Sequence, residues 1–212
     1  MPDRLSIYNG ALRSVGERKL ATLTERVEAR RLLDDAWDND FIDTILQEGM
    51  WDFAARAVKL EFLPSMTPSF GFQYAFAKPD DFVRTTALCE DEYFSQPMLR
   101  YTHEAGFWYA DLDYIYLKYV SNDEQYGNDM SLWPANFTRY AEHFLGFLII
   151  PGLTQSDSTE EKQEAKYRKA LKRARNTDAQ EKPARFAPEG SWVKSRRNRS
   201  GGDRGSRTRL IG

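Results

Sequence analysis

Val58-Lys59-Leu60-Glu61-Phe62 is where this chain changes its period: apolar residues stand at every second position, and Pro64 closes the run. Before it, apolar side chains recur at three- and four-residue spacing, the helical pattern. After it, Phe72, Tyr74 and Phe76 alternate ahead of Pro79. Leu99 and Tyr101 open another extended run, and Phe107 to Ala110 return from a turn at Glu104-Ala105-Gly106. Tyr114 to Val120 is a last strand with large side chains on both faces, which predicts cover on both sides by helices or by a neighbouring subunit. Helical spacing resumes at Pro134, a good first-turn residue. The fold class is therefore α+β. About four helices form a bundle in two parts, residues 1–54 and 123–181, with an antiparallel β-rich insertion at 55–122 and a flexible, disordered basic arm at 182–212.

Working outward, Leu5, Tyr8, Leu12 and Val15 mark a first helix, and Gly16 stands where a C-cap glycine belongs. A second helix is expected to open at Thr24 and run to about Glu48, on a stripe of Ala29, Leu33, Ala36, Trp37 and Ile45. At 1.5 Å per residue it would be roughly 35 Å long. Beyond the wing, Phe137, Ala141, Phe144, Leu145 and Leu148 form one stripe, ended by Pro151-Gly152. Ser158-x-x-Glu161 reads as a capping box. It opens a charged helix whose thin stripe of Tyr167, Ala170, Leu171 and Ala174 docks on one surface only. Past Asn176 the hydrophobic period is gone.

Composition narrows the functional classes. The 212 residues are 41% hydrophobic and 14% aromatic, enough for one sizeable core. Cys89 is the only cysteine, so neither an intrachain disulfide nor a cysteine-based zinc site can form; it reads as a small packed hydrophobe. Met1-Pro2-Asp3-Arg4 lacks the order of a secretory signal, and the longest apolar run, Phe147 to Ile150, is too short to span a bilayer. Synthesis in the cytoplasm, with no membrane anchor, is the expectation. The net charge of -2 hides a division: residues 1–181 hold 21 basic and 30 acidic side chains, net -9, and residues 182–212 hold 9 and 2, net +7. Such asymmetry marks a basic arm meant for an acidic partner.

Catalytic patterns are missing: no Gly-rich phosphate loop, no G-x-S-x-G, no H-E-x-x-H. His143 sits at the edge of a helix stripe and His103-Glu104 beside a turn, both ordinary positions for a histidine. Asp111-x-Asp113 could hold a divalent cation, but between two strands a hairpin turn accounts for it. Asp34, Asp35, Asp38, Asp40 and Asp43 scatter around a helix axis, as on a solvated face; an interface with basic partners or the lining of an acidic passage is the sharper reading. No catalytic residue, cofactor or metal is expected, and the chain is not expected to be an enzyme.

The strongest charged feature lies in the arm: Lys194, Arg196, Arg197 and Arg199, followed by Arg204, Arg207 and Arg209. Arg/Gly/Ser arms suit a phosphate backbone or an acidic protein surface. Trp192-Val193 argues against a purely solubilising tail, because aromatic plus arginine is the composition of an interface anchor.

Several stretches taken in order resemble a known family. Leu12-Arg13-Ser14-Val15-Gly16-Glu17 follows a short helix; Leu23-Thr24 leads into the next, which closes on Trp51-Asp52-Phe53-Ala54. Tyr119-Val120, the helix from Phe137 to Leu148, the helix of Tyr167, Leu171 and Ala174, and Ser191-Trp192-Val193 come in the same sequence. This set is similar to the tail tubular protein A family of short-tailed bacteriophages, the adaptor, or gatekeeper, between portal and tail. The resemblance covers Arg4–Ala54 and Tyr119–Ala174 and has no anchor between Pro64 and Met98; the arm after Gly190 is longer and richer in arginine than the family pattern. It implies a helical bundle with a β-rich wing and a dodecameric ring of copies in the virion. It also implies contacts with the portal protein and the tail tube or nozzle protein, and DNA passing through the lumen without sequence-specific binding. Trp192, Val193, Lys194, Arg196, Arg197 and Arg199 are the candidate portal-binding residues. The competing expectation is a nucleic-acid-binding accessory protein acting through the arginine-rich tail.

Overall fold

The computed structural model describes residues 2–68, 71–154 and 157–181. Its compact main unit spans Met1–Ala179; residues 180–212 cluster separately, and nearly all of them lie outside the described part. The fold is α+β, with five α-helices and two three-stranded antiparallel sheets among the described residues.

Helix α1 (Arg4–Val15) starts from a capping box in which Asp3 accepts the Ser6 N–H and Ser6 returns a bond to the Asp3 backbone. It ends at Gly16, whose φ of 89° is the left-handed cap expected there, with its N–H on the Leu12 carbonyl. The single long helix predicted over Thr24–Glu48 is instead two, α2 (Glu28–Asp38) and α3 (Phe41–Gln47). Thr24 belongs to a preceding turn, where its hydroxyl meets that of Thr22 at 3.0 Å. The break falls at Asn39-Asp40, where Asp40 takes φ 55°, a left-handed conformation that aspartate tolerates. Splitting this helix turns the expected four into five.

Helix α4 (Ala135–Leu153) follows Pro134 as predicted but runs through Pro151 instead of ending there. Pro151 sits in the last turn, and Thr154 N–H still reaches the Ile150 carbonyl at 2.9 Å, so only the proline's own missing donor is lost. Helix α5 (Asp157–Glu181) already includes Ser158, so that residue lies in the first turn and not at the expected cap position.

Strands β1 (Ala55–Glu61), β3 (Phe82–Cys89) and β6 (Tyr114–Ser121) form one sheet in the order β1-β6-β3. Strands β2 (Tyr74–Ala77), β4 (Thr102–Glu104) and β5 (Phe107–Ala110) form the other, in the order β2-β5-β4. Strand β3 lay in the stretch that the periodicity left without an element; two register shifts against β6 break its alternation. The β4–β5 turn is at Ala105-Gly106 as expected, with both residues at positive φ. Asp111-x-Asp113 is not a hairpin, because β5 and β6 belong to different sheets and the segment is the crossing between them.

The sheets share a core of Phe76, Trp108, Leu88, Ile115, Leu117 and Tyr119. That covers one face of β6. The other, expected to be covered too, is covered by the helical core at Val120 but open toward its start, where Tyr114 is 43% exposed and Tyr116 only half-buried. Lys59 Nζ lies 4.1 Å from the Tyr114 ring centre and Tyr116 meets that ring edge-on, so the large residues of this face cover one another.

The helical core gathers both ends of the main unit. Trp51, Phe53 and Trp133 close on Phe137 with ring centres 4.7–4.9 Å away. Tyr8, Trp37, Phe41, Phe144 and Tyr167 form a second aromatic chain through α1, α2, α3, α4 and α5. Gly146 lets α1 approach α4: a Cβ there would stand 2.5 Å from Ser14 Oγ and 3.2 Å from the Ala11 carbonyl oxygen. Gly146→Val is therefore expected to cost about 1–3 kcal/mol by overpacking, and Phe137→Ala about 3–5 kcal/mol, both read from urea midpoints.

Candidate functional site

The candidate portal-binding residues Trp192, Val193, Lys194, Arg196, Arg197 and Arg199 lie outside the described residues. What the structure describes is the helix that leads to them. Near its C-terminal end, α5 is held at three points: Asn136 Nδ2 donates to Thr177 Oγ1 at 2.9 Å, Asp178 accepts the Asp52 N–H at 2.8 Å, and Arg175 donates to the Glu48 carbonyl and carboxylate. Ala174 is buried, with Tyr167, Ala170 and Leu171 half-buried around it, which is the one-sided docking that the thin stripe predicts. At the N-terminal end Gln163 is buried too, donating to Ser14 Oγ at 2.6 Å and the His143 carbonyl at 3.1 Å.

His143 lies on α4 beside this junction, with its Nδ1 buried and lacking a hydrogen-bond partner among the described residues. Burial pushes the imidazole below its ordinary 6.5, and Lys166, Arg139 and Arg13 push it the same way. Glu142 next to it moves up, because burial outweighs the pull of Arg13 at 3.4 Å. His103 is far from any such setting: it is exposed on β4, its ring 5.9 Å from that of Trp108. The two histidines thus sit in separate parts of the fold, and among the described residues no group of three or more His, Cys, Asp or Glu side chains is arranged to hold a metal.

The aspartates have specific duties. Asp34 receives Tyr8 Oη at 3.0 Å, Arg30 at 2.5 Å and Arg4 at 3.1 Å, and Arg4 also reaches Asp38. Asp43 accepts from Asn122 at 2.8 Å and so ties α3 to the end of β6. Asp35, Asp38 and Asp40 are exposed, as on the solvated face expected, while Asp34 and Asp43 are half-buried. Asp111 accepts the Gln73 N–H at 3.1 Å, and Asp113 bonds the Tyr74 hydroxyl. Cys89 is buried, as its small apolar character predicts.

The most connected polar group is one the sequence did not single out. Asp81 accepts Arg56 at 2.8 Å, Tyr119 Oη at 2.9 Å and the Ser121 hydroxyl, while its carbonyl takes the Asn122 N–H at 3.1 Å. Burial pushes the carboxyl up, but bonds from Ser121, Tyr119 and Arg56 outweigh it and leave the pKa below the ordinary 3.8. Its partners are 25, 38 and 40 residues away, so no local pattern could have revealed them. This carboxylate works as a buckle inside the wing, tying β1 and the end of β6 to the start of β3. No described helix is long and apolar enough to cross a membrane.

No protein-family model matches the chain, and a search of curated proteins finds no match either.

Asp81→Ala is expected to cost about 2 kcal/mol, because it strips a partly buried carboxylate from three donors. His143 gives a pH signature. With its folded pKa depressed, its contribution to stability is complete above 6.5, and is lost as the pH falls toward the folded value, because the unfolded chain takes the proton first. Urea midpoints should decline below pH 6.5, and His143→Gln should flatten that part of the profile.

Proposed function

We propose that this protein is a structural head-to-tail connector of a short-tailed bacteriophage. It is one subunit of a dodecameric ring between portal and tail, at the portal vertex of the virion, through which DNA passes in assembly and ejection. The observation that carries the reading is the ordered resemblance over Arg4–Ala54 and Tyr119–Ala174. Those two stretches supply α1, α2, α3, α4 and most of α5, which share one core, and the β-rich wing lies between them.

Two further features support it. A ring subunit needs lateral faces for its neighbours, and the open face of β6 with β1, carrying Tyr114, Tyr116, Lys59 and Lys118, suits a neighbouring copy. A connector also needs a device for holding the portal. The arm follows a helix fastened near its end to Glu48, Asp52 and Asn136, so pull on it is delivered to the bundle core. Trp192 and Val193 supply apolar anchoring, and Lys194, Arg196, Arg197 and Arg199 pair with acidic groups or carbonyls. The 31 residues 182–212 could extend roughly 100 Å, enough to leave their own subunit. The lower surface of the ring meets the tail tube or nozzle protein.

Imaging the mature particle tests the ring: twelve-fold density at the portal vertex is expected, and a single copy or another location overturns the proposal. For the arm, Trp192→Ala is expected to weaken attachment to the cognate portal at least tenfold, about 1.4 kcal/mol. A chain ending at Pro188 should fold and fail to attach.

A further inference from the structure

The charges of α5 are sorted by side. Lys162, Lys166, Lys169 and Arg173 are spaced by four, three and four residues and fall on one flank of the helix. All four are exposed, and they run about 16 Å along the axis. No acidic residue of α5 shares that flank; Glu161 and Glu164 stand on the other one, with Arg168 and Arg175. The cationic flank faces more of its own sign. Lys166 Nζ donates to the Ser14 carbonyl at 3.0 Å, which brings it to the end of α1. Lys166, Arg139 and Arg13 converge on the edge of α4 at His143. Among the described residues Lys162, Lys169, Arg173 and Arg139 form no ion pair, and the one carboxylate in this neighbourhood that pairs, Glu142, is half-buried against Arg13.

On residues 1–181, whose net charge is -9, an unpaired row of cations offers a local surface for an anionic partner. An acidic protein surface would call for an apolar or aromatic anchor beside the charges, and this flank exposes none. A phosphate backbone needs only point charges at intervals, which lysine provides, and a row of about 16 Å lies alongside roughly five phosphates of one strand. The row also lies on the helix that immediately precedes, in sequence, the +7 segment at 182–212. We infer that the Lys162–Arg173 flank of α5, with Arg13 and Arg139 beside it, is a sequence-independent binding surface for the phosphate backbone of duplex DNA. It is separate from the arm assigned to the portal, and it does not depend on the connector reading.

The experiment is equilibrium binding of the full chain to a short labelled duplex, followed by anisotropy from about 50 to 200 mM salt. In K162Q/K169Q/R173Q, which leaves the Lys166 hydrogen bond intact, the slope of log K against log salt should be shallower by about 2.7, or about 0.9 for each phosphate left unneutralised. K162R/K169R should keep the wild-type slope, which separates a missing charge from a disturbed fold. R196Q/R197Q/R199Q, changed in the arm alone, should leave the flank's share of the slope in place. An unchanged slope in the triple flank variant overturns the inference and assigns binding to the arm. So does the absence of duplex binding by the wild type at about 50 mM salt. A flank variant with unchanged duplex binding and altered self-association or portal attachment overturns it in favour of an acidic protein partner. The duplex-binding readouts do not ask whether a ring forms, so the connector proposal can fail or stand separately.

Discussion

Everything in the helical bundle hangs on α4 being covered from nearly every side. Its buried residues, Phe137, Tyr140, Ala141, Leu145, Gly146, Ile149 and Ile150, occupy almost the full circumference, so no single neighbour could cover them. Cover comes from several directions at once: α1 over Gly146, Leu32 of α2 at Gly152, Trp51 and Phe53 on Phe137, and Tyr167 of α5 on Phe144. The helices from the two ends of the main unit are held in one body because each covers a different side of the same post.

The wing meets this body through Val120, buried in the helical core, and Val83 beside it, and polar groups add to that apolar contact. Asn122 reaches Asp43 and Arg84 donates to the Gln47 carbonyl at 2.7 Å, while Asp81 gathers Arg56, Tyr119 and Ser121 within the wing itself. Hydrogen-bonded charge of this kind is directional where hydrophobic contact is not, so it sets the angle at which the wing is carried as well as its attachment. The sheets keep a core of their own around Trp108 and Tyr119.

What was legible in the sequence was what short-range periodicity encodes. Gly16, Pro134 and the stripe of α5 were readable because cap chemistry and helical spacing act within a few residues. The long helix was misjudged because the apolar stripe continues across Asn39-Asp40, and only the backbone of Asp40 records the break. Strand β3 was invisible because its two register shifts destroy alternation, and Asp111-x-Asp113 was misread because which sheet a strand joins is a tertiary fact. The candidate site divides the same way. The arm declares itself by composition, whereas the Asp81 buckle joins residues up to 40 apart, and the sorted flank of α5 emerges only once the buried side of that helix is known.

The inserted wing also imposes an order on synthesis. Ala54 and Ala135 bracket about eighty residues that must leave the ribosome before α4 can begin to cover α1, α2 and α3. At 5–20 residues per second that is a wait of roughly 4–16 s, far longer than a helix or hairpin needs to form. Throughout it the apolar sides of Ile7, Leu12, Leu33 and Ile45 lack the partner that buries them in the finished fold. The nascent N-terminal segment is therefore a natural client for a holding chaperone, and the wing, with its own core, is the first part of the chain able to mature on its own.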